Sequence, residues 1–72
     1  MRIKQEIIDL LAGDLEARFK IATKTNHSMV SVDRWIRLNN NNSPLTHYTA
    51  LLSISETTGL SIQDLIEDQE PI

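Results

Sequence analysis

Residues 21–37 read IATKTNHSMVSVDRWIR. Ile21 and Ala22 precede a short polar corner at Asn26, and Ser28 opens a second segment. In that segment Val32 and Trp35 recur at helical spacing between charged neighbours. The pattern predicts two short helices meeting at a tight corner, a helix-turn-helix. Asparagine suits such a corner because its short polar side chain tolerates the left-handed conformation. Serine suits the position after it because its hydroxyl can cap the next helix. The helices are expected over about 15–25 and 29–38, with Val32, Trp35 and Ile36 facing inward and Phe19 packed in the core.

Charge concentrates around the same window. Arg18, Lys20, Lys24, Arg34 and Arg37 stand against the single acid Asp33, a local balance of +4 over residues 18–37. Residues 38–72 carry Glu56, Asp64, Glu67, Asp68 and Glu70 with no Lys or Arg, and residues 1–17 sum to −2. The net charge of −3 therefore hides a basic middle third. That distribution points to a phosphate backbone, although the total does not.

Outward from the window, Ile3, Ile7, Ile8 and Leu11 fit a helix over residues 2–12, with Leu10 at its margin and Gly13 ending it. Asp14 is placed to cap the helix that follows. Asn39–Asn42 form a loop. Ser43 and Pro44 mark a start signal for a helix over about 44–57, lined on one side by Leu45, Tyr48, Leu51, Leu52 and Ser55. Gly59 is expected as its C-cap, with Leu60 supplying the usual hydrophobic contact. Ser61 caps a last short helix bearing Ile62, Leu65 and Ile66, and residues 67–72 are expected to fray. No strand pattern competes, so the reading is all-α, five helices in one domain over residues 1–72.

Seventy-two residues allow one modest core and little surface from which to shape a deep catalytic pocket. The absence of cysteine excludes disulfides, thiolate zinc sites and a catalytic thiol. The N-terminus is amphipathic rather than a signal peptide, and no apolar run is long enough to span a membrane, so the reading is soluble and intracellular. His27 and His47 read as surface histidines. Asp14, His27 and Ser28 name the ingredients of a triad without its spacing, so no enzyme, metal, cofactor or small-molecule substrate is expected.

The chain resembles the phage-repressor-like helix-turn-helix domains of the Cro/C1 or XRE type. Ile21-Ala22, Asn26, Ser28, Val32 and Arg34-Trp35 match the first half of the family pattern. Ile54 to Ser61 with Leu65 match the second, and the resemblance spans about residues 15–66. Asn26 replaces the family's corner glycine. Thr25 and His27 stand where apolar residues are usual, and the Asn39–Leu51 segment is longer than usual.

The resemblance implies a compact five-helix lambda-repressor-like bundle and a cytoplasmic, bacterial or phage-encoded transcription regulator. Its helix 29–38 would enter the major groove of double-stranded DNA. Met29, Val30 and Arg34 would then occupy base-reading positions. Arg34 is able to grip guanine, the competing role being a surface ion pair with Asp33. Arg18, Lys20, Lys24, Ser31, Arg37, Asn39 and Asn40 are the phosphate candidates. About four neutralised phosphates per monomer give a salt slope near −3.6. A homodimer on half-sites ~34 Å apart would supply affinity, with Ile3, Leu10, Ile62 and Ile66 as apolar excess for its interface. The alternative is a protein-interaction module on the same fold, such as an antirepressor or a regulator's partner.

Overall fold

The computed structural model describes residues 1–67. Its architecture is mostly helical, five α-helices with one 3-10 turn and a very small two-stranded sheet. The sheet corrects the strand-free expectation. Strand β1 (Arg2–Ile3) pairs antiparallel with β2 (Ile66–Glu67), Arg2 opposite Glu67 and Ile3 opposite Ile66. The first helix, α1 (Gln5–Ala12), accordingly starts later than its apolar period suggested. Ile3 satisfies the same stripe from an extended backbone, and its side chain is fully buried. The Lys4 N–H donates to the Leu65 carbonyl (3.0 Å) and the Arg2 guanidinium meets Glu67 at 2.9 Å. Glu67 is thus held in a strand, and the remainder of the expected fraying, residues 68–72, lies outside the described residues.

Helix α2 (Leu15–Thr25) begins at Asp14, whose carboxylate accepts from the Ala17 N–H at 3.1 Å. Asn26 ends it in the left-handed region (φ 58°, ψ 43°). The Asn26 N–H bonds the Thr23 carbonyl and the His27 N–H bonds the Ala22 carbonyl at 3.0 Å, the paired closure of a Schellman motif. Ser28 then caps α3 (Met29–Leu38) by accepting from the Ser31 N–H at 3.2 Å. Both helices have the bounds that the sequence pattern suggested. Asn39, also left-handed (φ 42°), closes α3 through its N–H to the Trp35 carbonyl.

The expected helix over 44–57 is broken. Pro44–Thr46 make a 3-10 turn, His47 is extended (φ −70°, ψ 149°), and α4 runs from Tyr48 to Thr58. That extended residue resets the helical phase. Ala50, Leu51, Ser53 and Ile54 face the core, while Tyr48 and Leu52, expected inside, are exposed. Gly59 (φ 76°) ends α4 as expected, but Leu60 stays partly exposed and Ser55 Oγ donates to its carbonyl. The last helix, α5 (Ile62–Leu65), has no side-chain cap from Ser61.

One core joins these elements, with α2 packed most extensively on α4. Small residues on α2 (Ala17, Ala22) and α4 (Ala50) are buried there together with Ile21 and Ile54. Phe19 is the clearest departure from expectation, since it points to solvent, as does Leu15 one turn before it. On a helix that is apolar over a wide arc, the side carrying Ala17 and Ile21 won the core. Trp35 is only half-buried, its ring edge-to-face with His27 at 4.9 Å between centroids. The apolar excess assigned to a dimer surface is mostly absorbed: Ile3 is fully buried, Ile62 and Ile66 pack against the core, and Leu10 alone stays exposed. No helix among the described residues is long and apolar enough to cross a membrane.

Candidate nucleic-acid interface

The corner at Asn26 holds the first turn of α3 beside α2, and the basic residues distribute around this pair. Arg34 and Arg37 follow Val30 at i+4 and i+7, so the three share one outward stripe of α3. All three are exposed, as are Lys20 and Lys24 on α2. The first turn of α3 carries no acid. Its unpaired N–H groups and helix dipole therefore favour a negative neighbour. The pairing of Arg34 with Asp33 does not form. Asp33 Oδ1 instead receives the Arg18 Nε at 3.1 Å, and Arg34, Arg37, Lys20 and Lys24 make no ion pair among the described residues.

Arg18, expected as a phosphate contact, has a structural role in the fold. Its Nη1 donates to the Leu11 and Ala12 carbonyls at 2.8 and 2.7 Å, the end of α1, while its Nε holds Asp33 on α3. A half-buried guanidinium with three acceptors in place has few donors left for phosphate. It lies along an open crevice of about 410 Å³ that Arg37 also lines.

The remaining candidates divide. Met29 is half-buried against the core, whereas Val30 is exposed. Ser31 Oγ accepts from the Ser28 hydroxyl (3.2 Å) and is half-buried, so its part is in the cap. Asn39 is committed: its Nδ2 donates to the Ile3 carbonyl at 2.9 Å and its Oδ1 is buried. Asn40 is exposed on the loop after α3. Lys24 borders a polar recess of about 150 Å³ with His27, Trp35 and His47.

Sequence reasoning missed one feature of this face. Leu15 and Phe19 on α2, with Met29 of α3, line an apolar groove of about 480 Å³ whose rim carries Glu16 and Lys20. The signal was present in Ala17 and Ile21, four residues apart on the opposite arc of α2, which offered a second core-facing choice. In comparisons with known proteins, no family model, no curated protein and no solved structure matches this chain.

Proposed function

We propose that the chain is a sequence-preferring DNA-binding transcription regulator with a lambda-repressor-like helix-turn-helix, α2 and α3 forming the motif and α3 entering the major groove. The observation that carries this reading is the set of exposed cations, Lys20, Lys24, Arg34 and Arg37, left without ion pairs among the described residues around a capped corner. In this geometry the N-terminal half of α3 meets base edges and flanking cations meet phosphates. Arg34 is the guanine reader, and Lys20, Lys24 and Arg37 hold the backbone. Three phosphates instead of four lower the expected salt slope to about −2.7 per monomer. Homodimerisation on a near-palindromic site supplies the affinity one small module lacks.

Titration of duplex DNA at low and high salt tests the reading. Binding at low salt that weakens along this slope, and that Arg34→Ala and Arg37→Ala reduce, supports it. Absence of binding at low salt refutes it. A protein-interaction module is the second reading, favoured by the exposed apolar groove, and it gives no salt-dependent DNA binding.

A further inference from the structure

Leu15, Phe19 and Val30 are 64%, 61% and 69% exposed, while the smaller Ala17 and Ala22 lie buried. Leu15 and Phe19 line the apolar groove together with Met29, and Val30 stands exposed on the first turn of α3. None of them can make a hydrogen bond. Apolar surface left out of so small a core marks contact with something apolar. On the groove rim Lys20 is the one cation, while on α3 Arg34 and Arg37 continue the outward stripe that starts at Val30. Glu16, the one acid on the rim, lies in the first turn of α2, where the helix dipole accommodates it. An occupant of the Val30 stripe therefore offers a small apolar group close to negative charge.

The DNA major groove has that chemistry at one base. Thymine alone displays a C5-methyl group there, beside its O4 acceptor. From Val30 to Arg37 the helix rises ~10.5 Å, about three base-pair steps. One outward stripe can therefore place an apolar contact and two cations along one half-site.

Resting on the DNA-binding reading above, we propose that Val30, at the head of the stripe that Arg34 and Arg37 continue, reads thymine by its methyl group. The chain then selects duplexes with C5-methylated pyrimidines facing the start of α3. Arg34 supplies the polar half of recognition, and Val30 the methyl half.

The test uses the full chain. A random 20-base-pair duplex library is enriched for bound sequences. The enriched duplex is then titrated in its natural form and with every thymidine replaced by deoxyuridine, which keeps the base pairing and removes only the methyl. The expected result is a thymine-bearing consensus and binding about 4-fold weaker per contacted methyl lost, or about 0.8 kcal/mol on the tenfold-per-1.4 kcal/mol scale. Val30→Ala, checked for unchanged helicity, is expected to reduce this thymine-to-uracil ratio, whereas Phe19→Ala, on the separate groove, is expected to keep it. Arg34→Ala is expected to weaken both forms while keeping the ratio. Equal affinity of the wild-type chain for both forms overturns the methyl inference and leaves the DNA reading standing. Failure to bind any duplex at low salt overturns both.

Discussion

Removing the Arg18 side chain is the most informative perturbation, because one guanidinium joins three helices. Its bond to the Leu11 carbonyl is partly buried and its bond to the Ala12 carbonyl is exposed. No basic residue of α1 itself serves that helix's last turn, so Arg18 supplies the favourable charge from the next helix. A hydrogen bond from a charged donor contributes about 1.5–3 kcal/mol. The Leu11 bond belongs near the low end, and the solvated Ala12 bond adds less. The Asp33 pair adds at most ~1 kcal/mol, since Asp33 is 55% exposed while Arg18 is 18% exposed.

Arg18→Ala is therefore expected to cost roughly 2–3 kcal/mol, against the ~3–5 kcal/mol that a core of this size supplies. At about 4–8 °C per kcal/mol, Tm falls by some 10–20 °C in circular-dichroism melts, with urea unfolding giving the same ΔΔG. Arg18→Lys keeps the charge without the fork and falls between wild type and Ala. Asp33→Ala costs under ~1 kcal/mol. A loss below ~0.5 kcal/mol for Arg18→Ala refutes the bracing role, as does an Asp33→Ala cost equal to it. If the folded variant also binds DNA with a salt slope lower by about 0.9, Arg18 is a phosphate contact after all.

Ser53 presents a hydroxyl buried in α4 without a partner among the described residues. Ser53→Ala is expected to raise stability by about 1 kcal/mol, because the desolvation penalty disappears; an unchanged or lower Tm contradicts this. The glycines should respond in opposite directions. At Gly13 an added Cβ meets only the Leu10 and Asp9 carbonyl oxygens, at 3.8 and 3.9 Å, with φ at −94°, so Gly13→Ala gains about 0.4–1 kcal/mol. At Gly59, φ is +76°, so Gly59→Ala loses about 1–2 kcal/mol. Paired thermal melts check both signs. In DNA titrations, Arg37→Ala and Lys24→Ala should each flatten the salt slope by about 0.9, while Arg34→Ala also relaxes sequence preference at one base.

The caps were the legible part of the fold. Asp14, Asn26, Ser28 and Gly59 each act through local chemistry that the sequence states directly, and α2 and α3 have the bounds those residues suggest. Choices between apolar arcs were less legible. Leu15 and Phe19 are larger than Ala17 and Ala22, yet close approach of α2 to α4 favours the small residues. His47 carries no local signal for an extended backbone, and its break turned Tyr48 outward. The two-residue strands escaped notice because a period of two cannot show in two residues. At the candidate interface, the cluster of cations was readable, but the capture of Arg18 by α1 and Asp33 depends on contacts between helices.

The pairing of Arg2 with Glu67 spans a separation of 65 residues, and it bears on the order of folding. Closing a loop of that length costs about 1.5 kcal/mol more entropy than closing a helical hairpin of a dozen residues. The α2–α3 corner is therefore the early event, and the latch between β1 and β2 closes after the helices have docked. On the way out the sequence reverses. The latch opens as one unit, so the Lys4 amide proton, bonded to the Leu65 carbonyl, should exchange with a low free energy while those of Ile21 and Val32 wait for global unfolding.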